Sequence, residues 1–180
     1  IRALGVPAIA VAGDVGDHRA VTALMSATAQ ELGPVALLVN NAGNAGPQAT
    51  MGLSPPFWET EPHDWDRYFR TNLHGVMNCC HAALPGMVKL GRGRIVTVIS
   101  DAGRIGEAGL VAYSAAKAGA AGFARAIARE AGRYGITSNA ISLSTLEPPF
   151  DDAQMAEFMA TERTKAQLSR AEVSGTTKKF

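Results

Sequence analysis

Short apolar segments alternate along this chain with longer segments of helical periodicity, and the alternation restricts the fold more than any other feature. The apolar segments predict four β-strands, at residues 7–12, 35–40, 95–99 and 136–143. The periodic segments predict helices at residues 17–33, 64–84 and 111–132. Fully apolar strands separated by helices are typical of a parallel sheet covered on both faces. We therefore predict a doubly wound α/β fold.

Glycine and proline residues mark the predicted ends of several elements. Gly33 and Pro34 end the first helix, and Pro85 is expected to end or kink the second. The glycines of GRGRI, at residues 91–95, come before a strand and do not open a helix. We therefore interpret this glycine-containing segment as a turn and not as a phosphate-binding loop.

Composition limits the partners and the location of the protein. Lys and Arg number 17 against 16 Asp and Glu, a net charge of +1 that gives no broad attraction to nucleic acid or to an anionic membrane. The longest apolar stretches are far shorter than the ~20 residues of a membrane helix. The adjacent Cys79 and Cys80 cannot form an ordinary long-range disulfide, which suits a reducing compartment. These features predict a cytoplasmic protein that binds neither nucleic acid nor membrane. His74 and His81 lack a tetrahedral ligand set, so we predict no metal site.

Polar residues collect where the predicted strands end. Asp14 and Val15 follow the first strand, the sequence NNAG occupies residues 40–43 after the second, and Ser100 ends the third. Ligands of doubly wound sheets bind at the carboxyl ends of the strands, so these positions are candidates for a binding site. Ordinary turn chemistry is the alternative explanation for Asp14 and for NNAG.

The sequence AYSAAKAG, at residues 112–119, places Tyr113 four positions before Lys117. On a helix these two side chains project to the same side, one turn apart. The spacing is either an accident of packing or an acid–base pair. A free phenol has a pKa of about 10, which is too high for proton transfer near neutrality, and a neighbouring ammonium would lower it.

Taken together, these motifs closely resemble the classical short-chain dehydrogenase/reductase family. Ser100 stands thirteen residues before Tyr113, NNAG ends the preceding strand, and the similarity runs from about residue 13 to residue 141. The resemblance implies a Rossmann-like fold, NAD or NADP as cofactor, and a reaction that interconverts a secondary alcohol and a ketone. By resemblance, NNAG packs beside the adenosine, and a strand-end Asp-Val contacts the adenine.

The resemblance also implies individual roles for residues of this chain. The implied catalytic residues are Ser100, Tyr113, Lys117 and Asn72 of RTNLHGV. The implied cofactor-binding residues are Asp14, Val15, Asn40, Ala42, Gly43, Tyr113 and Lys117. Tyr113 would exchange the proton, Ser100 would bind the substrate carbonyl, and Lys117 would tune Tyr113 and bind the nicotinamide ribose. Asn72 would link the lysine to solvent through water; a solvent-facing asparagine is the alternative.

Small residues on the Tyr113 helix predict close approach of another helix. These residues are Ala115, Ala118, Gly119, Ala121, Gly122 and Ala126. Family members commonly pair this helix and the preceding long helix with those of a second subunit, so we expect a homodimer or homotetramer. Contact with the protein's own sheet is the alternative.

The sequence departs from the family pattern at both ends, and we expect a chain truncated at both. The glycine-rich TGxxxGxG turn of the family is absent, as is the residue that selects NAD or NADP. Leu143 and Ser144 stand where the family usually has Pro-Gly. Residues 1–150 are interpreted as an incomplete dinucleotide-binding and catalytic domain, and residues 151–180 as a possible substrate lid and divergent tail.

The sequence gives only weak evidence on the class of substrate. SDAGRIGEAG, at residues 100–109, looks like family members that act on 3-oxoacyl or hydroxyacyl thioesters, while steroid, sugar and polyol dehydrogenases share the same catalytic residues. The rival hypothesis is a non-catalytic fragment or subunit that keeps only the helix-pairing surface.

Overall fold

The structure is a computed structural model that describes residues 2–46 and 55–144. Its α-helices are α1 (His18–Leu32), α2 (Pro62–Phe69), α3 (Gly75–Leu90), α4 (Ala102–Ile105), which is a single turn, and α5 (Val111–Ala131). A π-helical turn, Arg70–His74, joins α2 to α3, and 3-10 turns occupy Arg2–Leu4, Phe57–Glu59 and Gly132–Tyr134. The strands are β1 (Leu37–Asn40), β2 (Gly93–Ser100) and β3 (Ile136–Leu143).

The three strands form a parallel sheet in the order β1-β2-β3. Leu38 pairs with Ile95 across the first ladder, and Thr97 pairs with Ala140 across the second. Helices connect successive strands, so the predicted alternation and the parallel sheet are confirmed. The carboxyl ends of all three strands therefore lie at one edge, where the predicted site residues were expected.

The described helices cover one face of the sheet. Leu38, Ile95 and Ile99 form the buried core with residues of α3 and α5, among them Met87 and Ala120. Leu37, Val39 and Ile141, which point to the opposite face, are exposed. Both α3 and α5 pack on this face, so only alternate strand residues are buried. The expectation that both faces are covered is therefore not met within the described residues.

Residues 7–12 form no strand, contrary to the prediction from their apolar sequence. The sheet of the described residues consists of β1, β2 and β3, and β1 pairs with β2 alone. A sequence with strand propensity becomes a strand only where a neighbouring strand supplies the ladder of hydrogen bonds. Within this segment Val11 is exposed.

The predicted end of the long helix at Leu84 is wrong. Pro85 lies inside α3, which continues to Leu90 and ends at Gly91 in the left-handed conformation, with φ of 63°. Met87, two residues beyond Pro85, is completely buried against the sheet. Burial of this last turn offsets the backbone hydrogen bond that proline cannot make.

Local signals were more reliable at the other helix ends. Asp17 caps α1, because its Oδ1 accepts a hydrogen bond from the backbone N–H of Arg19 at 2.9 Å, and Gly33 follows the last turn. Gly91 and Arg92 turn the chain into β2, which already begins at Gly93, inside the predicted 91–95 turn. Among the described residues, no helix combines the length and the apolarity that crossing a membrane would need.

Candidate active site

Two side chains that are distant in sequence meet at Gly43, just after β1. A β-carbon placed on Gly43 would lie 3.3 Å from Asn72 Oδ1 and 3.4 Å from Lys117 Nζ. The π-helical turn supplies Asn72, and the middle of α5 supplies Lys117. The glycine therefore leaves a small space that is bordered by an amide and an ammonium group.

Lys117 is nearly fully buried, with 5% of the residue exposed. Its Nζ donates a hydrogen bond to the carbonyl oxygen of Val98, at 2.8 Å, and so ties α5 to β2 two residues before Ser100. Burial lowers the pKa of Lys117, because the ammonium loses solvation. The lysine is thus held at a fixed position beside the strand end.

Tyr113 lies one turn before Lys117, and the two side chains share a side of α5 as their spacing predicts. The Lys117 Nζ is 5.9 Å from the centre of the Tyr113 ring. Tyr68 packs edge-on against Tyr113, with ring centres 6.4 Å apart. The tyrosine ring therefore lies between α5 and the α2 helix.

Asn72 is completely buried, which excludes the solvent-facing alternative. Its amide donates to the carbonyl oxygens of Asn44 and Tyr68, at 2.8 and 2.9 Å, and its Oδ1 accepts from the N–H of Asn44 at 3.1 Å. The backbone N–H of Gly75 bonds to the carbonyl oxygen of Arg70, five residues earlier, which is the π-helical pattern. Such turns are frequent at functional sites. Asn44 is a site residue that sequence reasoning missed, since no local pattern marks it.

Ser100 ends β2, and its Oγ accepts a hydrogen bond from the N–H of Ala102 at 3.2 Å. The next residue, Asp101, is bound by Ser142 and Arg104, both at 2.7 Å. The hydrogen bond from Ser142, followed by that from Arg104, lowers the pKa of Asp101. Asp101 therefore stays ionised near neutrality and is not a proton donor there.

Asn40 and Val15 line a smaller pocket of about 50 Å³ at the other side of the β1 end. The Asn40 amide donates to Thr97 Oγ1 at 3.3 Å and to Cys80 Sγ at 3.4 Å, while its Oδ1 is buried without a hydrogen-bond partner. Burial raises the pKa of the Cys80 thiol to about 11, against a lowering by the Asn40 hydrogen bond. The unpartnered oxygen is an acceptor that a bound group would satisfy.

Val15 is held against the π-helical turn and α3. Gly75 approaches it so closely that an added β-carbon would lie 2.6 Å from Val15 Cγ2, and Asn78 donates to the Val15 carbonyl oxygen at 2.9 Å. Ala42 lies between Asn40 and Gly43 and lines the same pocket. The structure thus groups Val15 with Asn40 and Ala42 around one pocket.

A larger pocket of about 200 Å³ lies beside Tyr113, between α2 and the beginning of α5. Aromatic side chains dominate its wall: Phe57 stacks on Trp65 with ring centres 5.0 Å apart, and Tyr68 lies next to Tyr113. Arg67 and Asp64 add one charge of each sign. Sequence reasoning missed this pocket, because its wall combines side chains of α2 with the distant beginning of α5.

Within the described residues, no group of three or more His, Cys, Asp or Glu side chains is placed to hold a metal ion. The serine, tyrosine, lysine and asparagine described above lie near the carboxyl edge of the parallel sheet and are the candidate groups for chemistry.

The family model described as short chain dehydrogenase matches residues 1–157. The chain therefore belongs to the short-chain dehydrogenase family, whose Rossmann-like fold it has. It is 36% identical over 160 residues to a 2-dehydro-3-deoxy-L-rhamnonate dehydrogenase (NAD(+)) of Sphingomonas sp. (strain SKA58), with 89% of this chain and 62% of that protein covered.

Two further proteins extend the comparison. A 3-oxoacyl-acyl-carrier-protein reductase of Staphylococcus aureus is 32% identical over 170 residues, which cover 94% of this chain and 66% of the relative. The solved structure of a gluconate 5-dehydrogenase from Burkholderia cenocepacia, in complex with NADP and tartrate, matches with a TM-score of 0.75 and 25% identity. It aligns over 94% of this chain and 62% of its own. The chain thus spans less than two thirds of the length of these relatives.

Proposed function

We propose that this chain forms the catalytic part of an NAD(P)-dependent oxidoreductase that interconverts a secondary alcohol and a ketone by hydride transfer. The observation that carries the proposal is the meeting of buried Lys117 and buried Asn72 around Gly43, with Tyr113 one turn from the lysine. Burial of the lysine ammonium costs folding free energy, and residues with such perturbed pKa values cluster at functional sites.

The residues at the strand ends fit a nicotinamide dinucleotide. Asn40 offers a buried acceptor without a partner, and Gly43 leaves open the space that a side chain would fill. We assign Asp14 and Val15 to the adenine, Asn40, Ala42 and Gly43 to the adenosine side, and Lys117 to the nicotinamide ribose. The bound cofactor supplies or accepts the hydride. Names and titles of the similar proteins include both NAD(+) and NADP, so either cofactor fits the proposal.

The protein's own groups manage the proton and the developing charge. In the reductive direction, the Tyr113 hydroxyl donates its proton to the oxygen of the former ketone as that oxygen becomes an alkoxide. The Lys117 ammonium favours the resulting phenolate by charge attraction. The Ser100 hydroxyl donates a hydrogen bond to the same substrate oxygen and stabilises its negative charge. Asn72, through Asn44 and water, is assigned to proton exchange with solvent.

The substrate is proposed to be a 3-oxoacyl or hydroxyacyl thioester. The similarity to a 3-oxoacyl-acyl-carrier-protein reductase supports this class. The aromatic pocket next to Tyr113 can receive an acyl group beyond the reacting carbon. The similarity to a sugar-acid dehydrogenase makes a hydroxy acid the competing substrate, which the pair of charges at Arg67 and Asp64 would suit.

A homodimer or homotetramer is the proposed assembly, and the cytoplasmic location stays a prediction. On α5, Ala115, Ala118 and Ala126 are exposed and available to a second helix, whereas Ala121 is buried in the protein's own core. Met77 and Val88 of α3 are exposed as well. The predicted lid at residues 151–180 lies outside the described residues.

Turnover tests the proposal against the rival non-catalytic subunit. The purified chain would be assayed for oxidation of NADH and NADPH with acetoacetyl coenzyme A and, separately, with a keto sugar acid. We expect turnover with the thioester, and loss of at least about 100-fold in Tyr113→Phe, since a positioned proton donor contributes factors of this order. No turnover with either substrate, or equal turnover in Tyr113→Phe, would contradict the proposed mechanism.

A further inference from the structure

An ion pair joins the predicted adenine site to the π-helical turn. Arg70 Nη2 lies 2.7 Å from Asp14 Oδ2, although the two residues are 56 positions apart. The other two ion pairs found among the described residues, His63 with Asp64 and Arg104 with Asp101, are local. No motif or periodic pattern in the sequence points to Arg70.

The local backbone leaves room for this arginine and holds the second carboxylate oxygen. The Gly16 N–H donates to Asp14 Oδ1 at 2.8 Å. A β-carbon on Gly16 would collide with Arg70, lying 2.7 Å from its Nε. Each oxygen of the Asp14 carboxylate thus has one donor, so the carboxylate plane is fixed.

A fixed carboxylate has free acceptor capacity for a ligand. The two oxygens of an ionised aspartate offer about four lone-pair sites, of which Gly16 and Arg70 use two. About half of each side chain is exposed, 51% for Asp14 and 58% for Arg70, so a ligand can reach the pair. For the same reason the ion pair contributes little to folding stability, and its removal should leave the fold intact.

We propose that Arg70 is a positioning residue that orients Asp14 to accept a hydrogen bond from the 6-amino group of adenine. The inference rests on the proposed dinucleotide site and extends it to base selection. Adenine presents an N–H donor at this position, whereas hypoxanthine presents a carbonyl oxygen that an oriented carboxylate repels. Arg70 therefore determines how strongly the site prefers adenine to hypoxanthine.

The test compares the dissociation constants of NADH and of reduced nicotinamide hypoxanthine dinucleotide, followed by nicotinamide fluorescence. The wild-type chain should bind NADH about tenfold more tightly, as expected for one hydrogen bond to a charged group. In Arg70→Gln the ratio should fall to about twofold or less. Arg92→Gln, which removes an exposed arginine from the turn before β2, should keep the wild-type ratio.

A double substitution shows whether Arg70 acts through Asp14. In an Asp14→Asn background, Arg70→Gln should change the ratio no further, because the residue it orients has gone. A wild-type ratio in Arg70→Gln, or a further loss in the double variant, would overturn the inference while leaving the dinucleotide site intact. Failure of the wild-type chain to bind NADH, NADPH or the hypoxanthine dinucleotide would instead contradict the proposed cofactor site, and the inference with it.

Discussion

Replacement of Gly103 by alanine tests how tightly α4, which follows Ser100, packs on α5, which carries Lys117. A β-carbon at Gly103 would lie 2.8 Å from the backbone nitrogen of Ala118, 2.8 Å from Lys117 Cβ and 2.9 Å from the Lys117 carbonyl carbon. Two of these atoms are backbone atoms of α5 and cannot rotate away. Gly103 is not among the glycines with positive φ, so the effect arises from space alone.

The expected cost follows from overpacking at this contact. Relieving the overlap requires α4 and α5 to separate by several tenths of an ångström, and overpacking of this kind costs about 1–3 kcal/mol of unfolding free energy. The same movement shifts Ser100 relative to Lys117. Because a misplacement of about 1 Å can cost about 100-fold in rate, a shift of this size should lower turnover several-fold.

Urea denaturation of Gly103→Ala and of a matched control would measure the stability effect. Gly86→Ala is the control, since no atom lies within 4 Å of its added β-carbon and it sits within α3. That substitution should stabilise the protein by about 0.5–1 kcal/mol, through helix propensity alone. Two results would refute the packing argument, provided that the slope of unfolding free energy against urea concentration is unchanged: a wild-type urea midpoint for Gly103→Ala, or a midpoint raised as in Gly86→Ala.

Three further predictions concern buried polar groups. Asn72→Ala should lower the unfolding free energy by about 2 kcal/mol in urea, because the Asn44 N–H and two carbonyls lose their partner; a loss below about 0.5 kcal/mol would contradict this. Burial lowers the pKa of Lys117 below the 10.5 of the unfolded chain. As pH falls, the unfolded chain binds this proton first, which destabilises the folded state, and this destabilisation is relieved as pH rises towards 10.5. The stability of the wild type relative to Lys117→Met should therefore increase from about pH 8 to pH 10, whereas a constant difference would show that the lysine is not desolvated. In a Cys79→Ser background, Cys80 should react with iodoacetamide far more slowly than a free thiol, because it is 1% exposed and its pKa is about 11. Labelling of the folded protein at the free-thiol rate would contradict the burial of Cys80.

Sequence predicted those parts of the fold that depend on neighbouring residues. The Asp17 cap, the Gly33 stop and the β-branched run of β2 each act over a few positions, and the structure has all three. Pro85 misled the prediction because the burial of Met87, a tertiary contact, outweighs a local helix breaker. Residues 7–12 misled it because a strand requires a neighbour as well as an apolar sequence.

The candidate site likewise combines local features that the sequence predicts with tertiary contacts that it does not. The four-residue spacing of Tyr113 and Lys117 predicts that both lie on one side of a helix, and the structure agrees. The pairing of Arg70 with Asp14 depends on how two distant segments pack, so no spacing could reveal it. The bond of Asn72 to Asn44 is likewise tertiary. The catalytic and cofactor-binding roles themselves remain predictions.

Cofactor binding by this chain tests the central claim most directly. NADH and NADPH would be titrated into the purified protein, with nicotinamide fluorescence as the signal and Lys117→Met, Tyr113→Phe and Arg92→Gln as variants. We predict saturable binding of at least one dinucleotide, weakened at least about tenfold in Lys117→Met, which loses a charged hydrogen-bond donor to the ribose, weakened less in Tyr113→Phe, which loses only a neutral hydroxyl, and nearly unchanged in Arg92→Gln. No saturable binding of either dinucleotide, or equal affinity in Lys117→Met, would contradict the assignment of this strand-end cluster as a nicotinamide cofactor site.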